Sequence, residues 1–285
     1  MSNEDASAYT RSWSSHEVSF LTLSDGAKLR YLKVGEGPPL VLIHTVRTQL
    51  DLFQRLIPLL VGRYMVYAVD LPGFGWSDIV PGAAYTEPVL RARILDFIRT
   101  LGLKDVTLAG ESIGAVLALT LATSPDIAVR RVVAFNPYDY LPGLERANLL
   151  ASVVIKSVRT PVIGPVFAAL ENRLILKGII SGGFSDPAHL PASFIDELSK
   201  SGSRAGYSSV ARAVYRALPS FVDARALYDQ VKAPISLVYG EQDWSSPSER
   251  DANRQILRPE VYESLPATGH FAAMENPAAC SSMFV

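Results

Sequence analysis

Short, wholly apolar runs alternate with stretches of helical spacing along most of this chain, and that alternation restricts it to one architecture. Residues 40–44, 65–69, 106–109 and 131–135 read as strands buried on both faces. Between them, residues 49–60 carry Leu52, Phe53, Leu56, Leu59 and Leu60 at helical intervals, and residues 87–101 carry Leu90, Ile94, Phe97, Ile98 and Leu101. Residues 114–122 form a small-residue helix stopped by Pro125. Parallel strands need long crossovers, so strands alternating with helices imply a mostly parallel sheet covered by helices on both faces. Ahead of it, residues 16–23 and 28–34 flank Ser24-Asp25-Gly26 as an antiparallel hairpin.

The alternation stops between Asn136 and about Ser220, where the pattern is helical and interrupted by Pro142, Pro161, Pro165, Pro187 and Pro191. It resumes with a strand at 234–238, a helix at 247–256, a strand at 261–265 and a helix from Phe271 onward. Residues 138–218 are therefore read as a helical insertion over one end of the sheet. In an open α/β sheet that end, beyond the carboxyl ends of the strands, is where ligands bind. The insertion carries Leu149, Val153, Ile155, Ile163, Val166, Phe167 and Leu170, and a second apolar stretch covers 174–184. Lys156, Arg159 and Pro161 interrupt it, and no run approaches the ~20 apolar residues a span needs. The expectation is a lid over an apolar pocket.

Composition excludes several partners. The net charge is −1, with no block of like charge to meet nucleic acid or an anionic membrane. Cys280 is the single cysteine, so no intrachain disulfide forms. The first fifteen residues are polar, without the apolar core of a secretory signal, so a cytoplasmic location is expected. Val285 follows soon after the last helix begins, so that helix is expected to be short or cut. No cluster at metal spacing and no phosphate-cradling loop with its lysine is visible, so neither metal nor cofactor is expected, only a small-molecule substrate.

Gly110-Glu111-Ser112-Ile113-Gly114 lies between the strand at 106–109 and the helix at 114–122. A strand-to-helix turn of this kind lifts a serine hydroxyl out at the top of a sheet, beside the free N–H groups of a helix start. A serine nucleophile needs a base, and His270 follows the last strand at the same edge. The base needs an acceptor for its second ring nitrogen. Asp243 follows the strand at 234–238; Asp139, after the preceding strand, is its rival, and Glu241 and Asp251 are weaker ones. Asp251 falls in the helix opened by the capping box Ser246-Pro247-Ser248-Glu249. The order Ser112, Asp243, His270 is that of strand–elbow hydrolases.

Four pieces in this order carry a resemblance: 70–78 (DLPGFGWSD), Gly110-x-Ser112-x-Gly114, Gly240-Glu241-Gln242-Asp243, and 269–277 (GHFAAMENP). The chain resembles the lid-bearing branch of the α/β-hydrolase superfamily, over nearly its whole length. The resemblance implies a mostly parallel eight-stranded sheet with helices on both faces and a helical cap after strand 6. The core is then 1–137 and 219–285, and the cap 138–218. It also implies an oxyanion hole from the backbone N–H groups of Ile113 and Val46. The family commonly has His-Gly where this chain has His44-Thr45, and threonine resists positive φ. His44 is read as holding its loop, and Asp70 is assigned no chemistry. Arg47, Glu111, Tyr138 and Trp244 are the candidate substrate contacts. Serine rather than aspartate at 112 points to acyl transfer on an ester or lactone of a small or medium apolar substrate. The alternatives are C–C bond hydrolysis, cofactor-free oxygenation or perhydrolysis on the same three residues, and a non-catalytic ligand receptor.

Overall fold

Eight strands pair into one sheet: β1 (Val18–Thr22), β2 (Lys28–Val34), β3 (Pro39–Ile43), β4 (Met65–Val69), β5 (Val106–Glu111), β6 (Val129–Phe135), β7 (Ile235–Gly240) and β8 (Val261–Leu265), in the order β1-β2-β4-β3-β5-β6-β7-β8. The computed structural model describes residues 3–284 apart from 163, 165–167 and 169–171. Ile163, Pro165, Val166, Phe167 and Leu170 of the expected insertion lie outside the described residues. β1 and β2 form the antiparallel hairpin, β2 is antiparallel to β4, and β3 to β8 run parallel.

Period-two alternation divides the core between the two faces. Val41 and Ile43 of β3, and Val132 and Ala134 of β6, join one buried cluster. Their neighbours Leu40, Leu42, Val133 and Phe135 join another. Burial on both faces is why these strands read as continuous apolar runs. Helices α1 (Asn3–Ala8) and α2 (Thr10–Trp13) precede the sheet, and α3 (Glu87–Thr100) and α4 (Ile113–Leu121) are crossovers.

Residues 49–60 depart from expectation. They form two 3-10 turns, Leu50–Phe53 and Ile57–Leu59, rather than one α-helix. Pro58 has no N–H to return to Gln54; the Leu50 N–H, unpaired at the start of any helix, is met by Asp70 Oδ1 at 2.8 Å. The apolar spacing is still used, since Leu52, Phe53, Leu56 and Leu60 are buried.

Between β6 and β7 lie α5 (Leu149–Arg159), α6 (Arg173–Ser181), α7 (Ala192–Gly202) and α8 (Tyr207–Asp223), and among the described residues there is no strand. The expected boundary at 218/219 falls inside α8, which continues through Pro219. Proline removes the N–H that would reach the Tyr215 carbonyl. Arg159 Nε on α5 donates to that carbonyl at 3.0 Å, so the helix runs on without an orphaned acceptor. α9 (Pro247–Leu257) opens on the Ser246–Glu249 capping box. The last helix is broken into α10 (Ala272–Glu275) and α11 (Pro277–Ser282) at Asn276-Pro277. Among the described residues no helix is long and apolar enough to cross a membrane.

Candidate active site

The carboxyl ends of β3, β5, β6, β7 and β8 lie along one edge, and each feeds a loop that contributes to one cavity or supports it. Ser112 stands between β5 and α4 with φ 61° and ψ −120°, a conformation few L-residues adopt. The crowding explains its flanking glycines. A Cβ at Gly110 would lie 2.2 Å from the Gly114 carbonyl oxygen, and one at Gly114 would lie 2.0 Å from that of Ile43. Such strain costs about 1–3 kcal/mol and persists only where the surroundings enforce it. Here the Ser112 N–H donates to the Phe135 carbonyl at 2.9 Å, while the Ser112 carbonyl accepts from Ala115 and Val116.

His270 and Asp243 meet at this edge. His270 Nδ1 donates to Asp243 Oδ1, and Asp243 Oδ2 accepts from the Ser245 hydroxyl and from the Ser245 N–H at 3.0 Å. Burial pushes the Asp243 carboxyl up, but the His270 charge and these hydrogen bonds outweigh it and hold the group below its ordinary range. A carboxylate on Nδ1 fixes the tautomer and leaves Nε2 as the basic nitrogen. That Nε2 is buried and meets no hydrogen-bond partner among the described residues. Ser112 and His270 thus share the cavity wall without a hydrogen bond between them, as resting sites often do before substrate tightens them.

Asp139 is not at the imidazole. Its carboxylate accepts from Asn253 Nδ2 at 2.8 and 3.0 Å and from Tyr228 OH at 2.8 Å, beneath the site, and burial raises it to about 6. Glu241 and Asp251 are exposed.

Several supports went unread in the sequence. Asn136, at φ 47°, donates to the Gly269 and His270 carbonyls at 3.1 and 2.9 Å and accepts from the Gly240 N–H at 2.8 Å. It therefore ties the end of β7, and so Asp243, to the loop of His270. The Gly183 carbonyl, just after α6, accepts from the His270 N–H at 2.6 Å. Glu275 accepts from the Gly269 N–H at 2.6 Å and from Ser185 and Asp186. The position of Asn136 directly after a parallel strand was the available signal.

The candidate substrate contacts divide. Trp244 stacks on the His270 ring, 3.8 Å between centroids and 14° between planes, and Tyr138 meets that ring edge-on at 6.2 Å. Both line the cavity, as does Arg47. Glu111 does not line it. Its buried Oε1 accepts from the Ala273 N–H at 3.0 Å at the start of α10, and Oε2 has no partner among the described residues. Burial lifts this carboxyl to about 8, against the hydrogen bonds from Ala273 and Ala272. The turn that presents Ser112 carries the side chain of Glu111 away from the cavity, so it belongs to the floor.

The loop after β3 is held by His44, whose Nε2 accepts from the Leu71 N–H at 2.8 Å and whose Nδ1 donates to the Thr45 carbonyl at 2.7 Å. Burial lowers His44 to about 4, so it is neutral and both nitrogens are used. Asp70 accepts from Arg30 Nε at 2.6 Å and from Leu50, and so anchors the same loop. Thr45 keeps an ordinary backbone; the left-handed residue is Arg47, at φ 60°. Among the described residues the N–H groups of Val46 and Ile113 donate to no protein acceptor.

The cavity is small, about 20 Å³, and is walled mainly by apolar side chains such as Leu144, Ile179, Ile180 and Leu218. Among the described residues no group of three His, Cys, Asp or Glu could hold a metal ion.

A family model described as the alpha/beta hydrolase family matches residues 40–282. The chain belongs to that family. Among its relatives, (E)-2-((N-methylformamido)methylene)succinate hydrolase of Acinetobacter baylyi is 30% identical over 147 residues, 51% of this chain and only 56% of that protein's own length. The 2-hydroxy-6-oxo-6-(2'-aminophenyl)hexa-2,4-dienoic acid hydrolase of Metapseudomonas resinovorans is 24% identical over 257 residues, 88% of this chain and 84% of that one. Cfl2 of Burkholderia cenocepacia shares the fold at a TM-score of 0.81, with 23% identity and 93% of each chain covered.

Proposed function

We propose that this hydrolase is a carboxylic-ester or lactone hydrolase working through an acyl-enzyme on Ser112. The observation that carries the reading is the buried Asp243–His270 pair, whose unpartnered Nε2 shares a cavity with Ser112. As the Ser112 oxygen attacks a carbonyl carbon, His270 Nε2 takes its proton, and Asp243 stabilises the resulting imidazolium. The tetrahedral oxyanion is held by the N–H groups of Val46 and Ile113, each such donor worth about 3 kcal/mol in the transition state. His270 returns the proton to the leaving alkoxide, and the acyl-enzyme forms. Water, deprotonated by the same nitrogen, then releases the acid. Trp244, flat against the imidazole, keeps its ring plane fixed while the proton moves. The helices α5 to α8 serve as the cap, and their apolar side chains take the acyl chain.

A fluorophosphonate probe read by intact mass tests the nucleophile, with a panel of p-nitrophenyl esters and lactones testing the reaction. Labelling of the parent protein, lost in Ser112→Ala, is expected, with His270→Ala lowering kcat by about 10³ or more. A parent protein that neither labels nor turns over any ester overturns the reading. The Metapseudomonas relative, named as hydrolase of an oxo-dienoic acid, favours C–C hydrolysis as a second reading, so a vinylogous diketone belongs in the panel.

A further inference from the structure

Asp243 has two carboxylate oxygens, and His270 uses only one. Oδ1 accepts from His270 Nδ1, while Oδ2 accepts from the Ser245 hydroxyl, from the Ser245 N–H at 3.0 Å and from Tyr140 OH at 3.5 Å. The Ser245 hydroxyl has a second neighbour, Arg250 Nε, 2.9 Å from its oxygen. Arg250 stands near the start of α9, with its guanidinium 5.3 Å from the Tyr239 ring centre. Its Nη2 lies 3.5, 3.3 and 3.2 Å from the carbonyls of Glu241, Asp243 and Ser245. One guanidinium is thus laid along the loop that carries the acid. Chemistry fixes the direction of this chain. A guanidinium N–H only donates, and an ionised carboxylate only accepts, so the hydroxyl between them takes from Arg250 and gives its one proton to Asp243. Both bonds involve a charged group, the stronger kind, and successive bonds polarise one another. Ser245 and Asp243 are buried, so water screens the chain little.

Resting on the acyl-enzyme reading above, we propose that Ser245 and Arg250 are positioning residues for the reaction: the Ser245 hydroxyl, polarised by Arg250, pins Oδ2 of Asp243 and draws its charge away from the imidazole. The geometric effect is on orientation. With Oδ2 held by the Ser245 hydroxyl and N–H, the carboxylate cannot rotate, and Oδ1 stays on His270 Nδ1. The electrostatic effect is on the strength of the base. A carboxylate with nothing on Oδ2 concentrates its charge on the imidazolium and keeps the coupled pair protonated to higher pH. His270 is then occupied when Ser112 needs to give up its proton. With the relay in place, the acid still stabilises the imidazolium formed during attack but does not hold one at rest. The hydrogen bonds from Ser245 are among the forces that keep the Asp243 carboxyl below its ordinary range.

The test reads protonation of the pair in two ways. The acid limb of the kcat/KM profile on a p-nitrophenyl ester reports it during turnover. The ring protons of His270, titrated by NMR in a Ser112→Ala background, report it with no turnover; His270→Ala identifies the signal. Ser245→Ala removes the hydroxyl from Oδ2 and should raise both midpoints by about one pH unit. Ser245→Thr keeps the hydroxyl and should return them to the parent values. Arg250→Met keeps an unbranched stem and removes the charge; it should raise them by about half a unit. Because Arg250 acts through the hydroxyl, the double variant should move no further than Ser245→Ala alone. Glu111, Tyr140 and Tyr239 also act on the Asp243 charge, Tyr138 meets the imidazole edge-on, and Arg146 holds the Trp244 carbonyl. These groups are the same in every protein compared, so their contributions cancel. Midpoints unmoved or lowered in Ser245→Ala, or single shifts that add in full in the double variant, overturn the inference. Should Ser245→Ala fail to fold, the direction of the Arg250→Met shift makes the same decision. A parent protein that fluorophosphonate does not label sinks the acyl-enzyme reading, while the NMR titration still decides the relay.

Discussion

Glu111 offers a sharp test of how the floor of the site is built. Its carboxyl is buried, accepts the Ala273 N–H on one oxygen and leaves the other without a partner among the described residues. Burial raises it from an ordinary 4.5 to about 8. Between those values the folded protein holds a proton that the unfolded chain has released. Stability therefore falls as pH rises from about 4.5 to about 8, and the loss is complete above that. At 1.36 kcal/mol per pH unit the ceiling is ~5 kcal/mol, and relaxation around a buried group makes about 3 kcal/mol the working figure. Glu111→Gln keeps the acceptor for Ala273 and cannot ionise. Urea denaturation of both proteins at pH 5, 7 and 9 isolates the effect, because every other titrating group cancels in the difference. The variant should be close to the parent at pH 5 and more stable by about 3 kcal/mol at pH 9. A gap between the two proteins that does not change across that range refutes the reasoning.

Three other outcomes follow from the same geometry. Asp243→Asn should lower kcat by about 10⁴ while leaving the fold intact, measured by ester hydrolysis alongside circular dichroism. Because the Asp243 carboxyl sits below its ordinary range, its contribution to stability is present above the unfolded pKa and is lost only as pH falls through the folded value. Asn136→Ala removes three buried hydrogen bonds at a left-handed residue and should destabilise by about 3–4 kcal/mol in urea melts, with Asn136→Gly recovering about 1 kcal/mol of it. Arg159→Met strands the Tyr215 carbonyl opposite Pro219, at about 1–3 kcal/mol. Pro219→Ala restores an N–H for that carbonyl, so a double-mutant cycle should show the Arg159→Met penalty shrinking by about 1 kcal/mol when Pro219→Ala is already in place.

The sheet was legible because its strands are buried on both faces, and a continuous apolar run such as Leu40-Val41-Leu42-Ile43, too short for a helix, suits that environment and little else. The meeting of Ser112, Asp243 and His270 was legible for a related reason: each follows a parallel strand, and parallel strands deliver their carboxyl ends to one edge. Spacing failed where tertiary contacts override it. Residues 49–60 have helical periodicity, yet Pro58 withholds the N–H an α-helix would return to Gln54, and the segment forms 3-10 turns. Helix α8 runs through 218/219 because the partner that excuses Pro219 is Arg159, whose hydrogen bond to Tyr215 spans fifty-six residues of sequence. The Trp244–His270 stack and the Gly183 carbonyl on the His270 N–H likewise join distant segments, and no local pattern encodes them.

The loop after β3 shows how a departure from a family pattern is best read. Threonine in place of glycine at 45 suggests a distorted backbone, because threonine avoids positive φ. Thr45 avoids it here as well, and the left-handed turn moves two residues on to Arg47. A glycine or asparagine would take φ 60° at lower cost, since an ordinary side chain in that region forfeits roughly 1–2 kcal/mol. The turn alone therefore gives no reason for an arginine. Its side chain lies against the cavity that holds Ser112, 4.9 Å from the ring centre of Tyr207 on α8. Arg47→Asn relieves that strain while removing the side chain's contact with Tyr207, so a urea melt of the variant reads the difference between the two.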